Sequence, residues 1–153
     1  MTAIPDPDIT PRAVALLGGP KVLGGKLSTP FDVHDRLEAG LPLAALTALT
    51  GAFRSAWADE AVAQILGITT RTLQRRRKSN AALTRDEASR AWKFAELFAQ
   101  ATEVFGDQKA AEAWFRSPAR GLEGRRPLDL LDTSAGTELV ETYLGQMEYG
   151  VFV

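Results

Sequence analysis

The chain has 153 residues, 45% of them apolar and 24% charged, a makeup that fits one ordinary domain or two small ones sharing a core. It excludes disorder along the whole length. Cysteine is absent and His34 is the single histidine, which excludes disulfide scaffolds, cysteine-based zinc sites and thiol catalysis and leaves little for histidine chemistry. The net charge of −1 hides an uneven distribution. Arg71, Arg75, Arg76, Arg77 and Lys78 put five cations into eight residues, whereas 127–153 has no Lys or Arg but carries Asp129, Asp132, Glu138, Glu141 and Glu148. A basic patch and an acidic tail suggest two surfaces for two kinds of partner.

Residues 1–30 hold five Pro and four Gly, and read as a partly ordered arm. One short helix fits inside it, capped by Thr10 and stopped by Gly18-Gly19. The opening MTAIPDPDITPR shows no basic stretch leading into an apolar core, so no secretory signal is expected. No apolar run reaches the roughly 18 residues of a membrane span, and a cytoplasmic location without membrane contact is expected.

A helical domain is predicted over 31–106. It begins with a helix over Phe31–Ala39 and another from Pro42, with Leu43, Leu46, Leu49 and Phe53 at helical spacing. Two short helices follow near Asp59–Leu66 and Thr70–Ser79, separated by Gly67-Ile68-Thr69. Thr84 and Glu87 then form a capping-box pattern ahead of a long helix, whose Ala88, Ala91, Trp92, Ala95, Phe98, Ala101 and Phe105 face a core before Gly106 ends it. In the C-terminal region, 107–153, Asp107 caps a helix that Ser117-Pro118 breaks, 119–132 reads as irregular, and a last helix covers about Thr133–Glu148. Period-two alternation is missing throughout, so the fold class is all-α.

The segment AVAQILGITTRTLQRRRK, at about 59–79, has the offsets of a helix-turn-helix. Ala63 permits close helix packing, Gly67 suits the turn, and Val62, Leu66, Ile68 and Leu73 fall on core-facing positions. Thr69 or Thr70 would open the second helix, and both are expected at DNA, with Thr70, Arg71, Gln74 and Arg75 turned to a major groove and Arg77 and Lys78 to phosphates. Arg76 departs from the apolar residue common there, and its head could reach a phosphate. A solvated basic helix in a bundle is the plain alternative; the small residue, the glycine and the apolar offsets favour DNA binding.

His34 is expected to be exposed, and Trp57, Trp92 and Trp114 to anchor the core. Asp59 and Glu60 are neighbours that point different ways on a helix, a poor acid/base pair. An enzyme lacks parts: no nucleophile beside a base, no metal cluster and no phosphate-binding glycine loop, and no cofactor is expected. Beyond Ala111, Arg125 and Arg126 can tie a Gly/Pro-pinned loop to carboxylates such as Asp129 or Asp132. The chain finishes on Tyr149, Gly150, Val151, Phe152 and Val153, an apolar end that either tucks into its own core or meets a partner.

The run WFRSPARGLEGRRPLDLLDT, followed by a helix ending in EYG, resembles the toxin-binding domain of the Xre/MbcA/ParS antitoxins. GLPLAALTAL, ILGITTRTLQRRRK and SRAWKFAELFAQATEVFG extend the resemblance over Gly40 to Val153. Phe115 and Ala119 stand where Leu and Asn are expected, and Gly145 interrupts the last helix. The resemblance implies an antitoxin that binds a RES-domain toxin, an NAD-consuming or ADP-ribosylating protein, and covers its active-site cleft. It also implies repression of the shared operon through the helix-turn-helix, with a homodimer on operator DNA. On this reading Arg125, Arg126, Tyr149, Val151, Phe152 and Val153 are toxin-binding residues, and an acidic, apolar tip complements a cleft made for an anionic dinucleotide. The alternative is a stand-alone transcriptional regulator with a ligand- or protein-sensing C-terminal domain.

Overall fold

A computed structural model describes residues 9–53 and 57–150; Val151, Phe152 and Val153 lie outside the described residues. Every regular element among them is helical, in the order α1 Ile9–Leu16, α2 Gly19–Leu23, α3 Pro30–Glu38, α4 Leu43–Ala52, α5 Ala58–Leu66, α6 Thr70–Ser79, α7 Arg85–Phe105, α8 Gln108–Arg116, α9 Pro127–Leu130 and α10 Ser134–Glu148. A single 3-10 turn, Arg120–Leu122, precedes α9. The boundary between two compact units falls at Glu96–Leu97, within α7.

In the first unit, the proline-rich start holds two helices where the sequence suggested one. α1 buries Ile9, Ala13, Val14 and Leu16, and packs on α2 and α4. Pro20 sits in the first turn of α2, where its missing N–H costs nothing. The terminal carbonyl of α2, at Leu23, accepts from Arg36 Nε of α3 at 2.6 Å, and Nη1 of the same side chain donates to the Gly40 carbonyl at 3.0 Å. His34 is exposed on α3.

α4, α5 and α6 pack in sequence, and Leu46, Leu49, Val62, Leu66 and Leu73 are all buried. Phe53 ends α4 in an extended conformation instead of continuing it, and its ring lies 5.4 Å from Trp57 and 5.5 Å from Phe94. A backbone bridge from Leu83 N–H to the Leu41 carbonyl, 2.8 Å, ties the entry of α4 to the entry of α7. The Thr84/Glu87 capping box forms: Thr84 Oγ1 accepts from Glu87 N–H at 3.2 Å and Glu87 Oε1 from Thr84 N–H at 2.9 Å.

In the second unit, the last turns of α7 pack with α8. Phe98 stacks on Phe115 at 6.0 Å, and Trp114 meets Phe105 at 5.4 Å, Phe115 at 5.1 Å and Tyr143 at 6.1 Å. Trp92 is buried, while Trp57 and Trp114 are half-buried. Asp107 Oδ1 accepts from Ala110 N–H at 2.7 Å and starts α8. The stretch 119–132 is more ordered than its Gly and Pro content suggests. An Ala119–Arg125 bridge closes the 3-10 turn, and Pro127 supplies the first turn of α9. α10 begins under a Thr133 cap, and a β-carbon at Gly136 would collide with the Leu130 carbonyl oxygen. Only glycine allows α10 to start that close to α9.

Candidate nucleic-acid interface and partner surface

Two helices and a turn build the first surface. α5 ends on Gly67 at φ 75°, a left-handed cap that returns its N–H to the carbonyls of Ala63 and Gln64. A β-carbon there would also come within 2.8 Å of Arg90 Nη1. Thr69 then caps α6, its Oγ1 accepting from Thr72 N–H at 3.1 Å. The Thr69 hydroxyl, expected at DNA, is therefore occupied by the helix itself, and it also meets Thr72 Oγ1 at 3.0 Å. Leu73 is the one residue α6 buries completely, which fixes the rotation of the helix on the bundle.

The cations of α6 divide into two groups. Arg76 is held: its two terminal nitrogens donate to both oxygens of Glu87 at 2.7 and 2.8 Å, with side-chain exposures of only 22% and 9%. Its head meets a carboxylate instead of the phosphate the sequence suggested, because the capping-box acid of α7 lies beneath it. Burial raises the affinity of Glu87 for a proton, but the Arg76 and Thr84 hydrogen bonds outweigh it and hold the carboxyl below its ordinary range. Arg77 is also held, with Nη2 2.8 Å from Asp59 Oδ1 and 3.3 Å from Thr50 Oγ1. The hydrogen bond and charge of Arg77, helped by Gln74, pull the Asp59 carboxyl below its usual value against some desolvation. A phosphate contact by Arg77 would have to displace Asp59.

Arg71, Arg75 and Lys78 are different. They recur at intervals of four and three along α6, are exposed, and have no side-chain partner among the described residues. Thr70 is exposed at the first position of the helix, and Gln74 is exposed with Nε2 3.0 Å from Asp59 Oδ2. Arg and Gln are the side chains that fork onto guanine and adenine edges, and an ammonium suits a phosphate.

The second surface lies on α10. Val140 and Leu144 are buried, and all charged residues of the helix are acids: Glu138, Glu141 and Glu148. Ala135, Leu139, Thr142 and Gln146 are exposed at helical spacing, and Tyr149 follows them at the helix end. Leu139 is 56% and Tyr149 72% exposed, large values for such side chains. Arg126 forks onto Asp129 at 2.9 and 2.7 Å, as the sequence suggested, whereas Arg125 turns to the exposed Glu123 at 2.9 Å and Asp132 takes neither.

Two family models match the chain, one over each of these regions. The profile of the antitoxin Xre-like helix-turn-helix domain matches 32–96, and that of the antitoxin Xre/MbcA/ParS C-terminal toxin-binding domain matches 100–150. An antitoxin Xre of Pseudomonas putida is 32% identical over 141 residues, covering 91% of this chain and 82% of that protein. The chain belongs to the Xre/MbcA/ParS antitoxin family. An antitoxin Xre of Yersinia enterocolitica is 37% identical over 100 residues, 63% of this chain and 68% of the relative. A Prs ADP-ribosylating antitoxin of a Sphingobium species is 29% identical over 96 residues, 57% of this chain and 60% of the relative.

In this antitoxin, α5–turn–α6 lies inside the helix-turn-helix match and α10 inside the toxin-binding match. No helix among the described residues is long and apolar enough to cross a membrane. Two residues that the sequence did not single out for the basic surface stand at its centre. In the sequence Asp59 is half of an adjacent acid pair and Glu87 is a helix cap. Each meets its arginine across a gap that helix periodicity does not reveal. The one signal for Leu139 in the sequence is an apolar residue off the Val140/Leu144 stripe.

Proposed function

We propose that this antitoxin neutralises a RES-domain toxin, an NAD-consuming or ADP-ribosylating protein, by covering its active-site cleft, and that it represses its own operon through α6. The reading is carried by the sorting of exposed charge: the unpartnered charges of α6 are all cations, and the charges of α10 are all acids beside exposed Leu139 and Tyr149. Arg71 and Arg75 read base edges, Lys78 touches a phosphate, and Thr70 and Gln74 complete the groove contact. The toxin meets α10 and Tyr149, and the apolar residues Val151, Phe152 and Val153 that follow in sequence belong to the same proposed contact. Arg126 and Arg125 hold the loop before α9. The antitoxin acts by binding, without catalysis of its own.

A single helix-turn-helix covers too little DNA for tight specific binding, so a homodimer on paired half-sites is part of the proposal. Co-expression with a RES-domain toxin tests the first half. The full chain protects cells and preserves their NAD, and deletion of Gly150–Val153 removes protection while operator binding persists. Protection by the deleted chain would move the cleft-blocking role away from the tail.

A further inference from the structure

An acid beside a helix that approaches phosphates is unfavourable for affinity, yet Asp59 stands at the first turn of α5 and holds two residues of α6. One carboxylate oxygen takes Arg77 and the other takes Gln74 Nε2. Arg77 is in turn held by Thr50 Oγ1, whose own proton goes to the Leu46 carbonyl at 2.9 Å. The carboxylate is therefore fixed in orientation from the α4 backbone outward.

An ionised carboxylate only accepts hydrogen bonds, so the Gln74 amide has one allowed orientation. Its NH2 must face Asp59, because the flipped amide would set two oxygens against each other. One amide hydrogen is used there, which leaves the carbonyl oxygen and the second hydrogen as an acceptor–donor fork. Adenine offers a matching donor–acceptor pair in the major groove, N6–H and N7, whereas guanine offers two acceptors, N7 and O6.

We propose that Asp59 is a specificity-determining residue that acts through Gln74: by holding the amide nitrogen inward it makes Gln74 a reader of adenine and a poor reader of guanine. This rests on the DNA-binding reading of α6. Asp59 is ionised, and so an acceptor only, at any pH near neutrality, and the Arg77 contact lowers its carboxyl further still.

The test is competition binding of the full-length protein to its own promoter and to variants carrying each base pair in turn. Wild type should prefer adenine to guanine by on the order of tenfold at one position of each half-site, and Gln74→Ala should level that position alone. Asp59→Asn should lower the same ratio several-fold, because a carboxamide accepts or donates and lets Gln74 turn either way. The general gain in affinity from losing a negative charge falls on every sequence and cancels in the ratio. Arg77→Ala, which removes the ion pair but leaves the acceptor, should keep most of the preference, and thermal melting confirms that each variant is folded. An Asp59→Asn protein with the wild-type ratio would make Asp59 a structural partner of Arg77 only. Unchanged preferences in Gln74→Ala would overturn the reading role of Gln74. A wild type that binds neither its promoter nor any member of a randomised DNA pool would refute DNA binding itself, and the proposal with it.

Discussion

The two units expose helices of opposite construction. α6 carries five cations and buries a single side chain, Leu73, so it cannot be held by apolar contact alone. Two of its arginines are fixed by acids from α5 and α7, and what remains free is the stripe Arg71, Arg75 and Lys78. α10 is held by Val140, Leu144 and the close approach at Gly136, and its acids all remain on the outside or at its margin. Charge therefore does different work on the two helices: of the five cations of α6 two are anchored by acids and three stay exposed, while α10, with three acids, is anchored by apolar contact and leaves Leu139 exposed.

Breaking the anchors should produce the largest effects. Glu87→Ala leaves Arg76 without its carboxylate and also removes half of the capping box. It should cost about 3 kcal/mol of stability, at the lower end for a pair that is not fully buried, as measured by urea unfolding. Replacing both members, Arg76→Leu with Glu87→Leu, should recover most of that loss, since paired apolar side chains avoid the desolvation cost. On the other helix, Gly136→Ala drives a methyl into the Leu130 carbonyl and should destabilise by about 1–3 kcal/mol, with no change in operator binding per folded molecule.

Recognition residues should behave in the reverse manner. Arg71→Ala or Arg75→Ala should weaken specific operator binding by about 1–3 kcal/mol in gel-shift titrations without moving the melting temperature. Lys78→Ala should weaken binding to all sequences and flatten the salt dependence. Leu139→Ala should weaken toxin binding by about 1.5 kcal/mol in calorimetry if that side chain is fully desolvated in the complex.

Acid provides a smaller test of the α6 anchors. The folded-state values of Glu87 and Asp59 both lie below their ordinary ones, 4.5 and 3.8, so both stabilise the protein above those values. That contribution is lost as the pH falls from about 4.5 through the depressed folded values. Between pH 6 and 4 wild type should therefore stay more stable than Asp59→Asn by a constant margin, and below that range the margin should close.

Local signals were legible in the sequence. Thr84 with Glu87, Asp107 before α8 and the Gly67 turn each act within a few residues, and the bounds of α6 follow from them. What the sequence hid was which cation does what. Five cations in a row read as one patch, and only the fold brings Glu87 under Arg76 and Asp59 beside Arg77. Nothing in the sequence marks Gly136, because its neighbour, the Leu130 carbonyl, belongs to the backbone and leaves no trace in residue type. The 119–132 stretch misled for the opposite reason: its Gly and Pro residues mark short turns and a helix start, not an irregular loop.

The claim that the two helices serve separate partners is tested most directly with the double variant Arg71→Ala/Arg75→Ala. Operator affinity and protection against the co-expressed RES-domain toxin should be measured on the same protein. Operator binding should fall at least a hundredfold, about 2.7 kcal/mol over two base contacts, with toxin protection at the wild-type level. Retained operator binding, or loss of toxin protection in a protein that melts normally, would contradict the account.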